Sequence, residues 1–136
     1  MSQTEGEGRT WAHKVLRFED LRGLTMDSVE NHENEEIVFT ATDGRTFKLY
    51  HAQDCCESVM VEDVVGDLTD LVGVPLLMAE EAISETDPED HNAGETYRDS
   101  FMWTFYKLAT IKGYVTIRWY GESNGYYSVS VDFAQV

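Results

Sequence analysis

Five residues with chemically active side chains lie within seven positions near the middle of the chain. They are His51, Asp54, Cys55, Cys56 and Glu57. A structural zinc site needs two pairs of ligands at spacings such as Cys-x2-Cys, but these cysteines are adjacent and no second pair follows them. A histidine could activate a cysteine nucleophile, although the neighbouring carboxylates disfavour the reactive thiolate. We therefore expect no metal, no cofactor and no catalytic residue, and a cysteine- or metal-dependent enzyme is the least favoured hypothesis.

The same two cysteines bear on the cellular compartment. A bond between neighbouring cysteines strains the geometry, so we expect reduced thiols in a reducing compartment. The first residues, MSQTEGEGRTW, lack the charged and then apolar run of a signal peptide. No stretch of about 18 apolar residues is present that could span a membrane. Together these features predict a cytoplasmic protein.

A second candidate site is the aromatic stretch WYGESNGYY at residues 119–127. Its two glycines allow close backbone approach, and its tyrosines could stack on a planar ligand. An ordinary hairpin with cross-strand aromatic pairs would have the same composition, so both interpretations stay open. If a small ligand such as a nucleotide signal binds here, the predicted contacts are His51, Arg118, Tyr120, Asn124 and Tyr126.

The charge distribution is strongly asymmetric. The 136 residues include 26 acids and 10 bases, a formal net charge of −16. Residues 1–100 hold 24 acids and 7 bases, whereas residues 101–136 hold 2 acids and 3 bases. Because phosphate contacts supply most nucleic-acid affinity, we expect no direct binding to nucleic acid or to anionic membranes. A basic protein surface would be attracted, although charge of this size also serves solubility alone.

Some of these acids are spaced as one exposed face. Asp63, Asp67 and Asp70 fall on the solvent side of an apolar pattern at helical spacing. They do not form an EF-hand loop, which needs acids at every second position and a central glycine. The predicted partner-binding acidic surface comprises Asp63, Asp67, Asp70, Glu80 and Glu81.

Alternating residues predict a mainly antiparallel β-sheet that positions these side chains. The runs IVFTAT and RTFKLYHA flank Asp43-Gly44, which predicts a hairpin over 37–52 with Phe47 and Leu49 on its buried face. A strand is expected at 24–30 and another at 75–84, with a long acidic loop at 85–100. The last third, 101–134, reads as a three-stranded meander.

Short helices complete the predicted α+β fold. Asp67 is a candidate N-cap for a helix over 67–72, which Gly73 and Pro75 would end. The preceding segment, 58–65, fits a helix or a strand, and a short helix is also expected within 11–20. We expect a flexible N-terminal extension at 1–19 and a single domain at 20–136. The oligomeric state is open, and a homodimer is one possibility.

A set of motifs is spread over residues 20–134: YHAQDCCE at 50–57, GD at 66–67, LVGVP at 71–75, AEE at 79–81, WTFY at 103–106, TIKG at 110–113 and RWYGESNGYYS at 118–128. With these motifs the chain resembles a group of small phage and prophage proteins that carry a domain of unknown function. The resemblance implies a phage origin and expression in a bacterial cytoplasm. It implies no enzymatic activity.

These observations favour a non-enzymatic phage accessory protein that binds and inhibits a host factor. Its acidic surface would mimic nucleic acid and occupy a basic site, as in a counter-defence inhibitor of the anti-CRISPR type. The alternative is a protein that sequesters a nucleotide signal in a pocket near Arg118–Tyr127.

Overall fold

The structure, a computed structural model, describes residues 14–84, 100–123 and 128–136. These residues form nine strands and two short 3-10 helices, at Phe18–Leu21 and Leu68–Leu71. The strands are β1 Lys14–Val15, β2 Met26–His32, β3 Glu36–Ala41, β4 Thr46–Tyr50, β5 Ser58–Val65, β6 Met78–Ser84, β7 Ser100–Thr110, β8 Gly113–Ser123 and β9 Asp132–Gln135.

The first sheet has five strands in the order β1-β9-β4-β3-β2, all antiparallel. The predicted hairpin is confirmed as β3 and β4, because Gly44 has a φ of 95° and the Ala41 backbone N–H donates to Arg45 across the turn. Phe47 and Leu49 are buried as the alternation predicted. The predicted strand near residues 24–30 is confirmed as β2.

The second sheet has four strands in the order β5-β8-β7-β6. Its long hairpin, β7 and β8, pairs Thr104 with Trp119 and Tyr106 with Ile117. The predicted strand within 75–84 is confirmed as β6, and the ambiguous segment 58–65 is the edge strand β5. The β5 register shifts between Val61 and Asp63, so Glu62 forms a bulge opposite β8.

The two sheets share one apolar core, as in a β-sandwich. Phe18, on the first 3-10 helix, joins them: its ring centroid lies 4.7 Å from Tyr106 in the second sheet and 5.4 Å from Phe133 in the first. Because β1 pairs with β9 and Phe18 is buried, residues of the predicted extension belong to the described fold.

Two features of the predicted fold class need correction. The last strand, β9, does not complete a meander in 101–134 but joins the first sheet beside β4, where Phe133 stacks on Phe47. Alternation identifies strands but not their neighbours, which is why the sequence did not reveal this crossing. The α+β label also overstates the helices, since the described ones are single turns and the fold is mainly antiparallel β.

The second of these turns confirms the predicted cap. Asp67 precedes Leu68–Leu71, and its carboxylate accepts the Thr69 backbone N–H at 3.0 Å. In the described part of the chain, no helix has the length and apolarity needed to cross a membrane. The predicted acidic loop lies almost wholly in 85–99, outside the described residues.

Candidate functional site

Residues 51–57 join β4 to β5, and we call them the β4–β5 connection. The buried carboxylate of Glu57 lies at its centre. The Asp54 backbone N–H donates to its Oε2 at 2.7 Å, and the Cys55 backbone N–H donates to its Oε1 at 3.0 Å. Burial raises the pKa of Glu57, but the bonds from Cys55, the His51 ring and Asp54 outweigh burial and lower this pKa to about 2. Glu57 is therefore a fixed negative charge inside the connection.

His51 links this connection to residues 128–131, which precede β9 and which we call the crossing segment. Its Nε2 lies 2.7 Å from Glu57 Oε2, and its Nδ1 lies 2.7 Å from the backbone oxygen of Ser130. A carbonyl oxygen can only accept, and Glu57 already accepts two N–H bonds as a carboxylate. Both ring nitrogens are thus engaged by oxygen atoms, which makes His51 a positioning residue with neither nitrogen available to a ligand.

The neighbouring cysteines correct the sequence-based expectation. The structure joins Cys55 and Cys56 by a disulfide, whereas two reduced thiols were predicted. Both residues are exposed. Gln53 stabilises the same backbone. Its Nε2 donates to the carbonyl of Glu57 at 2.6 Å and to that of Cys55 at 3.3 Å.

A cavity of about 410 Å³ opens beside this connection. We call it the acidic cleft. Its walls include Glu35, Glu36, Tyr50, Gln53, Val59 and Met60. His51 and Glu57 also line it, so the cleft combines carboxylates with an aromatic ring and apolar groups.

The turn between β2 and β3 forms one rim of the acidic cleft. Glu33 and Asn34 have φ values of 58° and 63°, which are uncommon for residues other than glycine. The Asn31 side chain supports the turn by accepting the Asn34 backbone N–H at 2.9 Å. The Asn34 carbonyl in turn accepts the Val61 backbone N–H at 2.8 Å, which attaches the turn to edge strand β5.

Negative charge is concentrated in the part of the sequence that supplies the walls of the acidic cleft. Residues 26–62 hold nine acids but only two bases, Arg45 and Lys48. Both bases are paired, Arg45 with Asp43 at 2.8 Å and Lys48 with Glu36 at 3.1 Å. At the end of β2, a hydrogen bond with Glu30 raises the pKa of His32 above its usual value.

A family model for a domain of unknown function, DUF7448, matches residues 10–133. The chain belongs to the DUF7448 family. The resemblance to a domain of unknown function is thereby confirmed, and the family carries no assigned activity. No curated protein and no solved structure matches the chain.

The acids predicted to form one surface lie at opposite edges of the second sheet of this DUF7448 protein. Asp63 is on edge strand β5, with Asp67 and Asp70 at the 3-10 helix that follows, whereas Glu80 and Glu81 are on the other edge strand, β6. Glu81 accepts the hydroxyl of buried Tyr106 at 2.7 Å and lines a second cavity of about 330 Å³. The five acids therefore do not form one continuous face.

The predicted ligand contacts of the DUF7448 protein are also divided. Arg118 and Tyr120 lie together on the outer face of the second sheet, against Trp103, with the guanidinium carbon 5.2 Å from that ring. His51 lies elsewhere, at the end of β4. Asn124 and Tyr126 are outside the described residues.

Arg118 is engaged by one of the predicted acids. Its Nε and Nη2 donate to the two oxygens of Asp63, at 2.6 and 2.8 Å. This side-chain hydrogen bonding lowers the pKa of the Asp63 carboxyl. The pair neutralises two charges that were predicted to belong to different sites, Arg118 to the ligand pocket and Asp63 to the acidic surface.

The sequence analysis did not predict a site at the residues that line the acidic cleft. NHENEE at 31–36 was interpreted only as a polar turn, although three of its six residues are glutamates. The density of acids in so short a hairpin turn was the available signal. Among residues 14–84, 100–123 and 128–136, no group of three or more His, Cys, Asp and Glu side chains is arranged to hold a metal ion.

Proposed function

We propose that this DUF7448 protein is a non-enzymatic binding protein whose acidic cleft receives a basic surface of a partner protein. In its specific form, the proposal is a phage-encoded inhibitor of a host factor in the bacterial cytoplasm. The partner would be a protein that holds nucleic acid, such as a component of a defence complex. The inhibitor would then mimic the phosphates by carrying carboxylates to the same basic site.

The proposal rests on one observation: exposed carboxylates surround a cavity. Glu35 and Glu36 line the cleft, with Glu36 paired to Lys48, and Glu33 is exposed in the adjoining β2–β3 turn. The aliphatic part of a lysine or arginine side chain is apolar, and Val59 and Met60 offer it an apolar wall. The ring of Tyr50, which has the Lys48 ammonium 5.3 Å from its centroid, completes the wall beside them.

The conformation of Glu33 supports a role for its charge. A left-handed conformation favours glycine or asparagine, and a glutamate there costs stability. Such strain concentrates at sites where another requirement outweighs stability. In our proposal, that requirement is negative charge in the turn that adjoins the acidic cleft.

Capture of partners from a bacterial lysate tests the proposal. One bait, the rim variant, carries Glu33→Gln and Glu35→Gln, which remove a charge of the adjoining turn and a charge of the cleft lining without changing side-chain size. A matched control bait carries Asp27→Asn and Glu80→Gln, which remove two exposed charges outside the cleft. Wild type and control should retain the same bacterial protein at about 0.1 M salt and release it near 1 M, where charges are screened.

The rim variant should lose that partner at both salt concentrations. Equal retention by the rim variant and the wild type would contradict binding at the acidic cleft. Retention that survives high salt would contradict an electrostatic mode. The captured protein should also release bound nucleic acid when the wild-type protein is added, as mimicry requires.

The alternative of a nucleotide pocket near Arg118 has less support, because that guanidinium is paired with Asp63. Thermal shift against a nucleotide panel separates the two functions. A nucleotide at a hundred times its dissociation constant would add about 2.7 kcal/mol of stability. A flat panel is expected if the acidic cleft is the functional site.

A further inference from the structure

We propose that the Cys55–Cys56 disulfide is a reversible redox modification site that controls the wall of the acidic cleft. The bond and the hydrogen bonds of the loop around it stand on the structure. Only its consequence for partner binding rests on the proposed function.

The position of the bond argues against a role in holding the fold together. A disulfide stabilises a protein mainly by closing a loop of intervening residues, and the benefit grows with loop length. Cys55 and Cys56 are consecutive, so their bond closes no such loop and joins no two elements. Its covalent effect is confined to the backbone of the β4–β5 connection.

That backbone is the part that fixes Glu57. The Cys55 N–H donates to Oε1 of Glu57, and the Asp54 N–H donates to Oε2. Gln53 holds the carbonyl of Cys55 from the other side. A change in the peptide between the cysteines therefore reaches the buried carboxylate directly.

The effect continues from Glu57 into the acidic cleft. Glu57 and His51 both line the cleft and lie 2.7 Å apart. His51 also donates to Ser130 on the segment that crosses to β9. When the hydrogen bonds of the β4–β5 connection open, the wall of the cleft formed by His51 and Glu57 becomes mobile. The strands of both sheets stay paired.

The chemistry is thiol–disulfide exchange with a small-molecule thiol. Two thiols, RSH, reduce the Cys55–Cys56 bond: each gives one electron and one proton, the protein gains two thiol groups, and RSSR is released. The reverse reaction with RSSR restores the bond. Both cysteines are exposed, so the reagent reaches the sulfur atoms without unfolding the protein.

Alkylation followed by mass measurement tests the bond. Protein treated with oxidised glutathione should take up no iodoacetamide, and protein treated with dithiothreitol should take up two equivalents. Two reactive thiols after oxidised glutathione would overturn the proposal. The variant Cys55→Ser/Cys56→Ser should take up none in either state.

Hydrogen exchange tests the effect on the loop. Reduction should speed exchange of the Asp54 and Cys55 amides by about tenfold or more, because their bonds to Glu57 open more often. Amides of the β7–β8 hairpin should not change. The serine variant should exchange like the reduced protein, and equal exchange in the two redox states of the wild type would overturn the proposal.

Binding of a decalysine peptide then tests the consequence for the cleft. The oxidised protein should bind the peptide more tightly than the reduced protein, and the serine variant should show no difference between the two conditions. If the peptide does not bind even the oxidised protein, the proposed function fails, while alkylation and exchange still decide the redox site. Equal binding in both redox states would overturn the control of the cleft.

Discussion

The imidazole of His51 lies 2.7 Å from the carboxylate of Glu57 and joins the β4–β5 connection to the crossing segment at Ser130. His51 and Glu57 are six positions apart in the sequence, whereas Ser130 is 79 positions from His51. The His51 side chain therefore connects the acidic cleft to the segment that leads into β9.

Replacing His51 should destabilise the protein. His51→Ala leaves the buried carboxylate of Glu57 without its hydrogen bond to the imidazole, and we expect a loss of about 1–3 kcal/mol. His32→Ala removes an exposed histidine that also contacts a glutamate, and should cost clearly less stability than His51→Ala. Urea unfolding of the two variants measures both effects, and equal losses would contradict the positioning role of His51.

Acid should weaken the protein through Glu57. Its pKa is lowered from 4.5 to about 2 in the folded state, so the folded protein favours the carboxylate. The stabilisation is fully present above the unfolded value of 4.5 and is lost as pH falls toward about 2. Glu57→Gln should flatten the pH dependence of unfolding in this window. A variant with the same acid sensitivity as the wild type would contradict the assignment.

The β2–β3 turn should become more stable when Glu33 is replaced by glycine. Glu33 has a φ of 58°, and removing the strain of a left-handed residue should add about 0.5–1 kcal/mol. Glu35→Gly is the matched control, since it removes an equal charge at a neighbouring position without a positive φ, and it should not stabilise. Thermal unfolding distinguishes the two. Stabilisation by both variants would point to relief of charge repulsion rather than of strain.

Gly121 should not tolerate a side chain. A Cβ at this position would lie 2.9 Å from the Cβ and the carbonyl oxygen of Val129, where the crossing segment passes over β8. Gly121→Ala should therefore cost about 1–3 kcal/mol through overpacking. Thr116→Ala, at a half-buried position on the same strand, should change stability by less than about 1 kcal/mol. A tolerated alanine at Gly121 would contradict the close approach of the crossing segment.

The first sheet shows what a sequence can specify. Asp43-Gly44 between two alternating runs predicted the hairpin of β3 and β4 because turn chemistry and burial pattern agree. Edge strand β5 was ambiguous for a local reason. The bulge at Glu62 places Val61 and Val64 on the same face at a separation of three residues, which imitates a helix.

The pairing of β9 and the acidic cleft depend on contacts between distant residues. The alternation that identified Phe133 as a buried residue is the same in either sheet, so only tertiary packing selects β4 as its neighbour. The cleft joins a turn near Glu35 to a connection near Glu57, and no local pattern relates the two. The residues of the cluster at 51–57 were recognised, but their arrangement and their disulfide were not.

Chemical-shift mapping of the decalysine peptide on the oxidised protein tests the central claim most directly. The account predicts that the largest amide shifts fall at Glu33, Glu35, Tyr50 and Met60 around the acidic cleft, and that they vanish near 1 M salt. Shifts centred instead on Asp63 and Asp67, or spread evenly over the exposed acids, would contradict a specific acidic site.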